Sequence, residues 1–81
     1  MTVHVSFYSI SRDLAGRSET SLVLEDAATL SKALERLAAE LPEIVAILPS
    51  CLVAVGNEYV PKSMQLAEGS RIAIIPPVQG G

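Results

Sequence analysis

Leu30, Ala33, Leu34, Leu37, Ala38 and Leu41 recur at the spacing of one helical face, and this is the clearest periodic signal in the chain. Such a stripe has to be buried against a second layer. Lys32, Glu35, Arg36 and Glu40 lie off it. Thr29 is placed to cap the helix, because its hydroxyl can accept an orphan N–H of the first turn. Lys32 three positions on means there is no capping box. Pro42 ends the helix at or before Leu41. The spacing therefore predicts one helix over Thr29 to Leu41.

The segments around it are patterned for strands. Val3, Val5 and Phe7 alternate with His4, Ser6 and Tyr8, which predicts a half-buried strand. Thr20 to Glu25 reads as its hairpin partner, with Leu14 to Ser18 a turn pivoting on Gly16. Glu43 to Leu48 predicts a short helical turn. Cys51 to Val55 is apolar throughout, as expected of a central strand buried on both faces. Gly56-Asn57-Glu58 turns the chain into a short strand at Tyr59-Val60. Pro61 to Leu66 is irregular or a single helical turn. Glu68-Gly69-Ser70 is another turn, and Arg71 to Ile75 is the last strand. Counted without the short Tyr59-Val60 strand, this ββαββ order predicts an α+β fold, a mixed sheet with one main helix on one face and the other face left uncovered. The expected core is Leu30, Leu34, Leu37, Leu41, Val5, Phe7, Val53, Ile72 and Ile74.

At 81 residues the chain is expected to be one domain, 1–81. A domain of this size buries only about 60% of the surface its unfolded chain exposes. That leaves no room for a deep catalytic cleft beside a core, so catalysis by the chain alone is not expected. The hydrophobic fraction of 49% is enough to fold it. A net charge of −3 argues against nucleic acid and anionic membranes as partners. No signal peptide or membrane-length apolar run is visible. A single cysteine excludes an internal disulfide. A cytoplasmic location is the expectation.

The chain closes on Ile74-Ile75-Pro76-Pro77-Val78-Gln79-Gly80-Gly81. Each proline fixes its own φ and biases the residue before it away from helix, which favours an extended stem. The two glycines have no side chain to widen the strand and tolerate almost any backbone angle. A flexible tail from about residue 76 to 81 is expected. It could thread a narrow tunnel and present the Gly81 carboxylate to another enzyme, with Gly80 easing passage. The plainer reading is a frayed terminus; Pro-Pro after an apolar strand favours the functional one.

These residues are familiar. The ββαββ order, the turn-and-strand Leu66-Ala67-Glu68-Gly69-Ser70-Arg71-Ile72 and the terminal Pro76-Pro77-Val78-Gln79-Gly80-Gly81 resemble the molybdopterin synthase small subunit of the ubiquitin-like ThiS/MoaD sulfur-carrier family. The likeness covers the whole chain and implies a β-grasp fold. Ser70 departs from it, standing where many relatives carry an acidic residue. The resemblance implies a carrier that is non-catalytic on its own and binds no cofactor or metal itself. A partner adenylating enzyme would use ATP to activate Gly81, and a sulfur donor protein would convert the adenylate to a thiocarboxylate. The tail would then enter a large synthase subunit, within a heterotetramer, and give its sulfur to cyclic pyranopterin monophosphate. Carriers for thiamine or tRNA thiolation, a protein modifier joined to lysines, and a non-covalent β-grasp module stay open. Pro76-Pro77-Val78 favours the molybdopterin branch.

By strand parity Tyr8 and Ile75 face away from the helix. With Tyr59 they are expected to form an exposed apolar patch that docks the large subunit, continued along the stem by Pro76, Pro77 and Val78. The alternative is scattered surface apolars. Cys51 sits in an apolar run, where an inert thiol is expected rather than a sulfur relay. His4 has no partner at metal-ligand spacing. Arg12, Asp13 and Lys62 read as solvated loop charges, although Arg12 could meet a partner's acidic surface.

Overall fold

The computed structural model describes residues 1–77; Val78, Gln79, Gly80 and Gly81, on which the tail expectation chiefly falls, lie outside the described residues. The strands are β1 (Thr2–Phe7), β2 (Glu19–Val23), β3 (Leu52–Val55), β4 (Glu58–Tyr59) and β5 (Arg71–Ile75). They form one mixed sheet in the order β2-β1-β5-β3-β4. Among the described residues only the β1–β5 pair is parallel. The last strand therefore lies at the centre of the sheet, flanked by the first strand and β3. This is the β-grasp arrangement, with a main helix, α2 (Leu30–Glu40), on one face.

Register explains which face is covered. Val5 pairs with Ile72, Phe7 with Ile74, and Val53 with Ile74. Side chains alternate strictly along a strand, so these positions share one face. That face and α2 build the core: Val3, Val5, Phe7, Leu22, Ile72 and Ile74 from the sheet meet Leu30, Ala33 and Leu37 from the helix. Leu34 and Val53, expected in the core, are only partly buried and pack on its rim. Along the helical stripe Leu30, Ala33, Leu37 and Leu41 are buried, and Leu34 and Ala38 lie to one side of the line they form.

The cap of α2 forms as its sequence predicts. Thr29 has extended backbone, and its Oγ1 accepts the Lys32 N–H at 3.3 Å. Leu41 closes the helix, donating its N–H to the Leu37 carbonyl at 2.8 Å. Thr29→Ala is expected to cost about 1 kcal/mol of stability, read as a lower urea midpoint with an unchanged m-value. Two 3-10 turns follow, Pro42–Ile44 and Leu48–Ser50, with Pro42 first in one and Pro49 second in the other, positions where a missing N–H costs nothing.

Two expectations need correction. The segment before Gly16 is not only a turn but a short helix, α1 (Ile10–Ala15). Gly16 caps it in the left-handed region at φ 72°, its N–H bonded to the Arg12 carbonyl at 3.0 Å. Six residues are too few to show a helical period. Nor is β3 a central strand buried on both faces. It is next to the edge, and Leu52 is exposed. An unbroken apolar run does not separate a doubly covered strand from one whose outer side is kept apolar for another purpose.

The turn before β5 accounts for Ser70. Gly69 takes φ 80°, and the Ser70 hydroxyl accepts the Ala67 N–H at 2.9 Å. The serine thus supplies a side-chain acceptor within the turn itself.

Candidate functional site: the uncovered sheet face and the foot of the tail

The face away from α2 divides into a polar and an apolar half. Parity places His4, Ser6 and Arg71 on it, and Ser21 lies opposite His4. His4 Nδ1 and Ser21 Oγ lie 3.4 Å apart, an ordinary cross-strand contact. Toward the other end the face turns apolar. Leu52 pairs with Ile75, and Ala54 stands between Ala73 and Tyr59. Tyr8, Tyr59 and Ile75 line one shallow depression with Ala54 and Ala73 as its floor. Tyr8 is 52% exposed, Tyr59 68% and Leu52 52%. Tyr8, Tyr59 and Ile75 border one depression, with Asn57 the one polar residue beside them, and Leu52 pairs with Ile75, so these apolar side chains lie together rather than scattered. Leu52 was not singled out from sequence; its pairing with Ile75 across the sheet is what places it there.

Tyr8 is held by a specific local structure. β1 ends at Phe7, and the chain bends through Ser9, whose φ of 55° and ψ of −133° belong to a region that favours glycine. The bend is fixed by Ser11, the one fully buried polar residue described. Its Oγ accepts the Tyr8 N–H at 3.0 Å and donates to the Tyr8 carbonyl at 2.6 Å; the Ile74 carbonyl lies 3.3 Å away. Tyr8 N–H also reaches the Ile74 carbonyl at 3.3 Å. Ser11 thereby ties the Tyr8 bend to the last turn of backbone before the tail. Nothing in the run Ser9-Ile10-Ser11-Arg12-Asp13 marks this residue in the sequence, because the bond partner in β5 is 63 residues away.

The tail leaves from the middle of the sheet, because β5 is the central strand. Pro76 is buried in the chain's own fold, and Pro77 is exposed. The body of the domain thus extends one residue beyond β5, and the free stem among the described residues begins at Pro77. Val78, Gly80 and Gly81 lie outside the described residues. Arg12 and Lys62 are both exposed, as expected of solvated charges.

Cys51 immediately precedes β3, one step before the Leu52–Ile75 pair. It is partly buried, and its thiol donates to the Ile47 carbonyl at 3.2 Å. Burial pushes the thiol's pKa up from its ordinary value, which disfavours the nucleophilic thiolate. This is the environment of an inert thiol. Cys51→Ser is expected to leave sulfur loading of the chain unchanged, read by intact mass.

Comparison with known proteins agrees with this geometry. The profile described as the ThiS family matches residues 5–81. This chain belongs to the ThiS family. Among its relatives is the "Molybdopterin synthase sulfur carrier subunit" of Chlamydomonas reinhardtii, 34% identical over 83 residues and covering 100% of both chains. Among solved structures, SAMP1 from Haloferax volcanii superposes with a TM-score of 0.92 at 20% identity, covering 100% of each chain. A Helicobacter pylori structure described as a complex of subunits 1 and 2 of molybdopterin-converting factor matches with a TM-score of 0.73 at 23% identity, again over 100% of each chain. The structural likenesses show the shared fold, and the family match runs through the terminal Gly80-Gly81.

Proposed function

We propose that this chain is the sulfur-carrier subunit of a molybdopterin synthase. Its identity with the Chlamydomonas carrier over the full length of both chains carries the reading. The uncovered apolar face and a tail that starts at the centre of the sheet support it. On this reading the chain is non-catalytic alone and donates sulfur within a complex.

The chemistry follows from what a carboxylate lacks. Its oxygen is a poor leaving group, so acyl transfer has to be preceded by activation. A partner enzyme joins the Gly81 carboxylate to the α-phosphate of ATP, and diphosphate leaves. Sulfur at the sulfide level, freed from a donor protein by a thiol reductant, then displaces AMP at the acyl carbon, leaving a thiocarboxylate. The large subunit receives the tail, the sulfur passes to cyclic pyranopterin monophosphate, and water cleaves the acyl–sulfur bond to restore the Gly81 carboxylate. From Pro76 to Gly81 an extended chain reaches on the order of 20 Å, at about 3.3 Å per residue. Tyr8, Tyr59 and Ile75 dock the body, with Leu52 beside them.

A second reading shares the first step. Haloferax volcanii SAMP1, a structural neighbour of this chain, is described as a small archaeal modifier protein. A modifier's adenylate is ultimately captured by a lysine amine rather than held as a thiocarboxylate. Affinity purification of the full chain separates the two. A large synthase subunit recovered non-covalently is the expected result; lysine-linked adducts of the chain in its place would assign the modifier role.

A further inference from the structure

The sheet has two open edges, β4 and β2. β4 is two residues long and offers little to pair with. β2 is five residues long, and an edge strand presents unpaired N–H and C=O groups along its outer side. Their positions follow from the ladder with β1. Ser18 accepts the Phe7 N–H at 2.8 Å, and Met1 and Leu24 exchange both of their bonds. Bonded pairs alternate along an antiparallel ladder, so Thr20 and Leu22 also turn their backbone groups toward β1. Glu19, Ser21 and Val23 therefore direct theirs outward. All three residues are exposed, Val23 at 68%. Among the described residues one of these outward groups has a partner: the Val23 carbonyl accepts from the Arg36 guanidinium at 3.2 Å. A carbonyl oxygen has two lone pairs, so that bond leaves Val23 able to accept a second.

Charge complementarity selects what fits this edge. Arg17 just precedes the ladder and Glu25 just follows it, at equal distance along the chain from Ser21. Both are exposed, and neither has an ion-pair partner among the described residues. When two β2 strands pair antiparallel about Ser21, Ser21 meets its own copy and each Glu19 meets the second copy's Val23. Each Arg17 then stands across from the second copy's Glu25. The outward groups of the same three residues satisfy one another, and opposite charges meet at both ends, as a self-complementary twofold interface requires. Other registers lose this match. Sliding by one bonded step one way sets Glu19 against Glu25, like charges directly opposite, which is destabilising; the other way parts Arg17 from Glu25. We propose that β2 is a self-association edge, across which a second copy of this chain extends the sheet in antiparallel register about Ser21. β2 and β4 are opposite edges of the sheet, so the pairing leaves β4 and its Tyr59 uncovered. It holds whether or not the chain carries sulfur. So short an edge buries less than a standard interface, and the dimer is expected to be weak.

The test is sedimentation equilibrium of the full chain from micromolar to millimolar concentration, with circular dichroism as the folding control. A monomer–dimer equilibrium is the expected result. Ser21→Pro removes an outward N–H that the domain itself does not use, a position where an edge strand accepts proline, and is expected to give a folded monomer throughout. Arg17→Glu changes an exposed residue outside the core, and so reports on the edge even should Ser21→Pro fail to fold. It sets like charges at both ends of the pairing and is expected to weaken association about tenfold. Arg17→Glu combined with Glu25→Arg restores both ion pairs with their signs exchanged, and is expected to recover wild-type association. A wild-type chain that stays monomeric at millimolar concentration would leave the edge to water or to a strand of another protein, and would overturn the proposal. A dimer that Arg17→Glu leaves intact would overturn it too, by assigning association to another surface. So would a loss in Arg17→Glu that the charge exchange does not recover, because the register about Ser21 would then be wrong.

Discussion

Deletion of Gly81 is expected to abolish sulfur transfer while leaving the urea unfolding curve unchanged. The truncated chain ends on the carboxylate of Gly80, one residue short. An extended residue contributes about 3.3 Å, and displacements of about 1 Å can cost a hundredfold when reacting atoms have to be held in contact. A missing residue is therefore more than an active site can absorb. Stability stays, because the core runs from Val3 to Ile74 and the deletion removes none of it. Single-turnover assays of sulfur transfer and urea denaturation measure the two effects separately. A marked drop in the urea midpoint would make the tail structural.

Ile75→Lys is expected to weaken binding to the large subunit well beyond tenfold, again with the free domain folded. Ile75 lies on the uncovered face, only partly buried, between Leu52 and the Tyr8 bend. A lysine there can reach water in the free chain. Once docked, it becomes an unpaired buried ammonium, which costs several kcal/mol. Each 1.4 kcal/mol is about tenfold in affinity. Tyr59→Ala removes area without adding charge. Losing most of an apolar anchor worth about 1.5–3 kcal/mol predicts a milder loss, roughly tenfold. The ranking is the sharper part of the prediction: calorimetry should find the lysine variant the weaker binder. Equal, wild-type affinities would place the docking surface elsewhere.

What the sequence makes legible here is periodic or local. The α2 stripe apart from Leu34, the alternation of Val3, Val5 and Phe7, and the Thr29 cap appear as read, because each depends on residues within a few positions. The same parity places Tyr8 and Ile75 on the uncovered face. The features that were not legible depend on distant partners. The parallel pairing of β1 with β5 joins the two ends of the chain, and no local pattern announces it. Leu52 reads as core until Ile75 is seen opposite it. Ser11 carries no local signal, and its role shows only where its hydroxyl lies among the Tyr8 and Ile74 backbone groups. Pro76 reads as free stem, yet is buried, because β5 turns out to be central and its neighbours close around its end.

The covalent chemistry at Gly81 is the centre of this account, and intact-mass spectrometry tests it directly. The full chain is incubated with ATP, the cognate adenylating enzyme and a sulfur source. Its mass should rise by the difference between one sulfur and one oxygen atom, the change should map to Gly81, and Cys51→Ser should take it up equally. An added sulfur found on Cys51 as a persulfide, with the C-terminal carboxylate unchanged, would contradict the thiocarboxylate mechanism.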